Sequence, residues 1–277
     1  EIEKSYENIF KNCGLETIGV DADSGAIGGA ASKEFMVTAS SGEDSILFTK
    51  SGSYAANIEK AVSYPKESKP LIKFDQTLIK TPNQKTIEDL CKFNNLDATQ
   101  IVKVIIYLGE FEDKKKVPIA ACIRGDQFIN EIKIFNLLNE MHDSNLINLS
   151  LIENKSFIDK NINGLPIGFL GPDISDKIIS KNSPLVKKWI RIVDYSASKL
   201  KSFISGANQV GFHRYFNSWT SLDNSFIISD IRNAQEGDFL TSDKKETLIE
   251  KKGIEIGHIF QLGQKYSEKL NAKFSNR

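Results

Sequence analysis

Cysteine, histidine and long apolar runs are scarce in this sequence, and each scarcity excludes a class of protein. The three cysteines, Cys13, Cys91 and Cys122, lie far apart and form no CxxC pair, which excludes a disulfide scaffold and favours a reducing cytoplasm. The three histidines have no paired spacing, so we expect no metal site. No apolar run approaches the length of a membrane span, and we expect neither a membrane anchor nor a signal peptide.

The sequence also carries no net charge at pH 7. The 36 Lys and Arg balance the 36 Asp and Glu, so the overall charge does not indicate a nucleic-acid partner. Between Glu153 and Arg214, however, ten basic residues stand against five acidic ones. Such an excess is typical either of a solvated face or of a surface that contacts phosphates. With 277 residues, 40% of them apolar, the chain is long enough for two globular domains.

The first and last parts of the chain have the same kind of secondary-structure pattern. Both combine short extended segments with helices, which is typical of an antiparallel sheet with helices. The chain also starts at Glu1, inside a helix pattern, so we expect a piece of a longer protein. The predicted elements are a helix ending at Gly14, strands over 16–22, 35–39 and 45–49, a helix over 54–62, strands over 247–249 and 254–262, and a helix over 266–273.

The middle of the chain predicts a mixed α/β domain behind a linker at residues 65–70. An apolar segment with Phe74, Leu78 and Ile79 leads into it. The predicted elements are a helix over 86–93 with Ile87, Leu90 and Phe93 inward, a hairpin of strands 100–107 and 117–123, helices over 130–138 and 150–158, a strand over 189–193, a helix over 196–204 and a closing segment over 226–231.

One lysine interrupts the apolar run of the first hairpin strand. Lys103 has Val102 and Val104 on either side, within a run that reads as a strand buried on both faces. Burying an ammonium group is costly unless an anion or another acceptor meets it. Either Lys103 lies at the strand edge and reaches water on its long stem, or it has a functional role.

Two glycines, Gly168 and Gly171, frame a loop that Pro172 closes. Glycines allow backbone conformations in which several N–H groups point outward together. Such groups can hold a carbonyl oxygen or a developing oxyanion. An ordinary turn explains the same residues.

Longer segments resemble bacterial-type prolyl-tRNA synthetase. At the ends these are Asp23-Ser-Gly-Ala-Ile-Gly-Gly29, Ser32-Lys-Glu-Phe35, Ser41-Gly-Glu-Asp44, residues 54–61, and Lys252-Gly-Ile-Glu-Ile-Gly-His-Ile-Phe-Gln-Leu-Gly-Gln-Lys-Tyr-Ser-Glu268. In the middle, the pieces similar to that family's inserted editing domain are residues 86–90, Arg124-Gly-Asp126 with Asn130 and Glu131, residues 168–172, Gly206-Ala-Asn208 and residues 230–233.

The resemblance implies an α+β fold in which class II synthetase-type antiparallel sheet pieces are interrupted by a mixed α/β, deacylase-like editing domain. The implied domains are 1–64 (first segment of the catalytic core), 65–81 (linker), 82–235 (editing domain) and 236–277 (second segment of the catalytic core). The implied activity is ATP-dependent attachment of proline to its tRNA, with hydrolysis of alanine wrongly attached to that tRNA. A proline pocket excludes the smaller alanine poorly, because one missing methylene is worth only about 1–3 kcal/mol.

The resemblance also implies partners and a cellular location. The complete enzyme would use Mg-bound ATP, whereas the editing domain needs no cofactor. Its substrates would be tRNA-Pro, proline and alanine, and the complete enzyme would be a cytoplasmic homodimer. We expect this piece to retain only the editing activity, since the arginine-bearing and glycine-rich ATP motifs of the family lie outside it.

Site residues are carried over from the family by position. The implied catalytic set is Lys103, Gly168, Gly171, Pro172, Asp194 and His213, and the alanine pocket falls on Ile87 and Leu90. From the residues alone, Asp194 also fits a helix cap, His213 a surface residue, and the pocket pair ordinary core packing. In the synthetic site the candidates are Glu34, Glu255, His258 and Gln261.

One residue departs from the family pattern. The usual Ser-His-Glu-Phe has Lys33 in place of its histidine, so the synthetic site lacks whatever that histidine contributes. Two other functions fit less of the sequence: a self-sufficient deacylase, and a tRNA-binding module without catalysis.

Overall fold

The computed structural model describes residues 1–25, 27–71, 77–222 and 225–275. The chain divides into two compact units: unit 1 is Glu1–Lys66 with Asn233–Arg277, and unit 2 is Glu67–Arg232. In chain order the elements are α1 (Ile2–Asn12), β1 (Ile18–Ala22), β2 (Ala31–Thr38), β3 (Asp44–Thr49), β4 (Ala55–Asn57), β5 (Ser63–Tyr64), β6 (Leu78–Lys80), α2 (Ile87–Asn94), β7 (Val102–Phe111), β8 (Lys116–Arg124), α3 (Glu131–Met141), β9 (Leu146–Leu151), α4 (Lys155–Asn161), β10 (Ile190–Asp194), α5 (Tyr195–Ser198), β11 (Phe203–Gly206), β12 (Phe212–Phe216), β13 (Ile227–Ser229), β14 (Phe239–Leu240), β15 (Leu248–Gln261) and α6 (Lys265–Lys269).

Among the described residues, no helix is both long enough and apolar enough to cross a lipid bilayer.

Unit 1 is built around a five-stranded closed sheet in the order β1-β2-β15-β3-β4. Its ladders are antiparallel, except for one parallel pair, Asp21 with Ala56, that closes the barrel. Val20, Met36 and Ile46 are fully buried inside it. A separate pair of strands, β5 and β14, joins the two chain segments of the unit.

The predicted helix over 54–62 is wrong. This stretch contains β4, which pairs with β3, and then a turn in which the Asn57 side chain accepts from the Lys60 N–H at 3.1 Å. Alanine favours a helix, but here strand pairing prevails because it buries Ala56 against Leu47. The two strands predicted in the tail are one strand, β15, with a register shift between Glu255 and Gly257.

Unit 2 is centred on a five-stranded sheet in the order β13-β10-β8-β7-β9, with a three-stranded sheet of β11, β12 and β6 beside it. The predicted hairpin is confirmed as β7 and β8, and β8, β10 and β13 run parallel. Helix α3 covers one face through Ile134 and Leu138. Residues from α4 to Trp189 cover the other face, against Ile106 and Ala120. Both faces of the central strands are therefore buried, as their continuous apolar runs predict.

Two predicted helices of unit 2 are wrong for most of their length. The stretch 150–158 contains the end of β9, paired with β7, and only then α4, which the Asn154 side chain caps. The stretch 196–204 contains the short α5 and then β11. Phe93, predicted to face inward, is 57% exposed. Phe74 lies outside the described residues.

Candidate functional site

Lys103 lies near the start of β7, at the end of the sheet where β8 finishes. Its Nζ donates to the Gly125 carbonyl oxygen at 3.2 Å and lies 5.2 Å from the Phe128 ring centroid. Burial lowers the pKa of Lys103, and the Asp126 charge opposes that shift. The ammonium group is therefore neither free in water nor paired with a carboxylate in direct contact, so a further hydrogen-bond acceptor would stabilise it.

The turn beside Lys103 is held by buried polar contacts. The Arg124 guanidinium donates to both Asp126 carboxylate oxygens, at 2.6 and 2.8 Å. Gln127 donates to the same carboxylate at 2.6 Å and accepts from the Arg232 guanidinium at 2.7 Å. This network fixes the turn whose Gly125 carbonyl oxygen accepts the hydrogen bond from Lys103.

The start of α2 touches both predicted halves of the site. A Cβ on Gly125 would lie 3.3 Å from Ile87, and a Cβ on Gly168 would lie 3.1 Å from the Lys85 side chain. Ile87 is partly exposed, so it can line a pocket. Leu90 is 1% exposed and packs with other core residues, which agrees with the packing alternative.

Within the glycine loop, only part of the backbone is available to a ligand. Gly168 has φ +84°, a conformation that favours glycine. The Gly171 N–H donates to Asn208 Oδ1 at 2.8 Å, so it does not point outward as predicted. Pro172 is buried and has no N–H. Among the described residues, the N–H groups of Gly168 and Leu170 have no hydrogen-bond acceptor.

The loop is seated on β11 without room for side chains. A Cβ on Gly206 would lie 2.2 Å from the Phe169 carbonyl carbon. Asn208, with φ +55°, also donates through Nδ2 to Asp173 Oδ1 at 2.8 Å. Arg214 pairs with the other oxygen of Asp173. Asn208 and Asp173 thus hold the loop from its C-terminal side, roles that no sequence pattern assigned.

His213 is buried at the back of the loop. Its Nδ1 shares a hydrogen bond with the Thr81 hydroxyl at 2.7 Å, and its ring lies 5.5 Å from that of Phe169. Burial lowers the pKa of His213 to about 4, so the ring is neutral at pH 7. The alternative that His213 is a surface residue is therefore wrong.

Asp194 is fully buried at the end of β10 and caps α5. Its Oδ1 accepts from the Ser196 N–H and hydroxyl at 2.8 and 2.5 Å, and its Oδ2 accepts from the Ile231 N–H at 3.0 Å. These bonds match the cap alternative, and the site role of Asp194 stays a prediction.

The site residues lie on two faces of the sheet. Lys103 pairs with Ile123, on the face that α3 covers, whereas Leu170 packs with Ile106 on the opposite face. Ile87, in the first turn of α2, lies near Gly125, and Lys85, just before α2, lies near Gly168. The Cys122 thiol in the neighbouring strand does not suit a nucleophile, because burial raises its pKa to about 12.

The synthetic-site candidates lie in unit 1. Glu34 and His258 are cross-strand partners in β2 and β15, and Glu255 lies close to both. Gln261 is exposed at the end of β15 and is not part of this cluster. Lys33, the departure from the family pattern, pairs with Glu3 of α1 at 2.6 Å.

Comparison with known proteins identifies the family of the chain. The aminoacyl-tRNA editing domain family matches residues 81–220. The chain is 64% identical over 277 residues to the proline–tRNA ligase of Prochlorococcus marinus subsp. pastoris, and 62% identical to that of strain MIT 9515. It is 50% identical over 276 residues to that of strain NATL2A. Each match covers 100% of this chain and 46% of the relative, so the chain spans about half the length of these relatives.

The resemblance to prolyl-tRNA synthetase is thereby confirmed along the whole chain. Because the family match covers residues 81–220, half of the sequence, the chain belongs to the aminoacyl-tRNA editing domain family.

Proposed function

We propose that unit 2 hydrolyses the ester that joins alanine to tRNA-Pro, within a protein that attaches proline to the same tRNA. The observation that carries the proposal is the half-buried Lys103 ammonium, which lies beside the helix start that also touches the glycine loop. Family membership and the likeness to proline–tRNA ligases support the substrate class.

In this proposal the terminal adenosine of the tRNA lies against the glycine loop. The N–H groups of Gly168 and Leu170 steady the ester carbonyl or the attacking water. The Lys103 ammonium holds a phosphate or ribose oxygen near the ester and is not the nucleophile. Ile87 forms the apolar wall of a pocket that admits alanine and excludes proline by size.

The basic excess between Glu153 and Arg214 supports a contact with RNA. Two of its ten members, Arg191 and Arg214, pair with acidic residues of the same unit. The remaining eight are lysines at the surface, and surface lysines can neutralise phosphates. They are Lys155, Lys160, Lys177, Lys181, Lys187, Lys188, Lys199 and Lys201.

Unit 1 has a place in the same proposal as a portion of a class II catalytic core. The complete protein would use Mg-bound ATP and form a homodimer. The 277-residue chain alone should release alanine from tRNA but should not exchange pyrophosphate with ATP. Detectable exchange by this chain would contradict that assignment.

The deciding experiment incubates the chain with Ala-tRNA-Pro and with Pro-tRNA-Pro and follows release of each amino acid. We expect release of alanine only, and a loss on the order of a hundredfold in Lys103→Met. Lys92→Met, which removes an exposed lysine of α2, is the matched control and should keep its rate. Binding without release would favour the tRNA-binding module, equal release of both amino acids a general deacylase, and full activity in Lys103→Met would remove Lys103 from the site.

A further inference from the structure

Three metal-ligating side chains of unit 1 meet on one face of its closed sheet. Glu34 and His258 are directly paired across β2 and β15. Glu255 is three residues from His258, and on a regular strand it would point to the opposite face. The bulge between Glu255 and Gly257 turns it to the same face. One ligand atom from each of the three residues lies within 4.8 Å of the other two.

The spacing of these atoms fits a shared ion better than hydrogen bonds. His258 Nδ1 lies 3.4 Å from Glu255 Oε1 and 3.8 Å from Glu34 Oε1, both longer than a strong N–H···O hydrogen bond. One imidazole nitrogen carries at most one proton, so it cannot serve both carboxylates. Two atoms that each lie about 2.1 Å from a tetrahedral Zn²⁺ are about 3.4 Å apart, close to the spacing found here.

The surroundings hold the cluster in place and add further carboxylates around it. The Asn57 amide donates to both Glu34 oxygens, at 3.3 and 3.2 Å, and the imidazole stacks on Phe260 at 4.0 Å between ring centroids. Asp44 and Glu59 add negative charge nearby. Among the described residues, no lysine or arginine pairs with any member of the cluster. A bound cation would complement this group of carboxylates.

We propose that Glu34, Glu255 and His258 bind one Zn²⁺ or a similar transition-metal ion and leave a fourth coordination position open. Imidazole selects such ions over Mg²⁺, which prefers oxygen ligands. The sequence predicted no metal site because spacing rules look for all ligands within one segment, whereas Glu34 lies at the opposite end of the chain from Glu255 and His258.

Calorimetric titration of the 277-residue chain with Zn²⁺ tests the site. All variants carry Cys13→Ser, because that exposed thiol could bind zinc by itself. We expect one ion per chain, and affinity at least tenfold weaker in Glu255→Gln and in His258→Gln. Glu250→Gln makes the same charge change on the same strand and should bind normally. Mg²⁺ should not replace Zn²⁺, and circular dichroism verifies that each variant folds.

The histidine ring resonances give a second readout. The chain has only three histidines, so Zn²⁺ should shift the ring signals of His258 and leave those of His142 and His213 unchanged. No saturable Zn²⁺ binding, a shift at another histidine, or normal affinity in both ligand variants would overturn the proposal. Neither measurement depends on deacylation, so a negative result here would leave the proposed function untouched, and the reverse also holds.

Discussion

At the scale of single residues, the buried histidine links the site to pH. His213 is only 6% exposed, and its hydrogen bond to Thr81 occupies Nδ1. A charged imidazole there would lose its hydration without gaining an anion, which is why the pKa falls to about 4. The ring therefore serves at neutral pH as a neutral hydrogen-bonding group.

This depressed pKa predicts an acid sensitivity of stability. The unfolded chain takes up a proton near pH 6.5, but the folded protein resists it down to about pH 4. The stabilisation from the neutral ring is thus fully present above pH 6.5 and is lost progressively as the pH falls from 6.5 through 4. Between pH 7 and 4, wild type should lose on the order of 3 kcal/mol more than His213→Gln. Urea unfolding at several pH values measures this, and equal losses in both proteins would contradict it.

Lys103 shows how far single residues can be predicted. Its position in an apolar strand required an acceptor, and the structure supplies the Gly125 carbonyl oxygen. Asn208 shows the limit. Its two bonds, to Gly171 and Asp173, join segments that are far apart in sequence, and nothing local to Asn208 specifies them.

Asn208 should act as a positioning residue for the glycine loop. Asn208→Gly keeps the φ +55° backbone unstrained but removes both bonds. We expect alanine release to fall at least tenfold in kcat, with KM for Ala-tRNA little changed. Asn95→Gly, at φ 52° at the end of α2, is the matched control. A change in KM alone, or the same loss in both variants, would point to a structural role.

At the scale of elements, the contact of β11 with the glycine loop leaves no space. Gly206→Ala would place a methyl group 2.2 Å from the Phe169 backbone, so the two segments must separate. We expect a loss of about 3 kcal/mol in the free energy of unfolding. Gly164→Ala, at φ +63° with open space around it, should lose only about 1 kcal/mol. Denaturant titration measures the free energy of unfolding of both variants. Equal losses would show that the glycine loop moves away to accommodate the new methyl group.

The elements that were predicted correctly have strong local signals. The hairpin of β7 and β8 has two apolar runs around a polar turn, and Thr86 and Asn130 cap the helices that follow them. The wrong helices over 54–62 and 150–158 are stretches in which strand pairing outweighs local propensity: β4 pairs with the preceding β3, and β9 pairs with the more distant β7. Short strands such as β11 are set by their partners and have little pattern of their own.

At the scale of the whole molecule, unit 1 is formed from both ends of the chain. Its two segments share the closed sheet and the pairing of β5 with β14. A protein in which a short Gly-Ser linker replaces residues 67–232 should therefore fold. Circular dichroism and a cooperative thermal transition provide the measurement. A chain with no cooperative transition would show that unit 1 depends on the deleted residues.

The pairing of β5 with β14 bears on how the domain arrangement could evolve. The chain leaves unit 1 at Lys66, shortly after β5, and returns at Asn233, shortly before β14, whose Phe239 pairs with Tyr64. The side chains of Ser63 and Asp238 are also joined, at 2.8 Å. Exit and re-entry are thus neighbours, so insertion or removal of the whole intervening module leaves the paired ends of unit 1 in place.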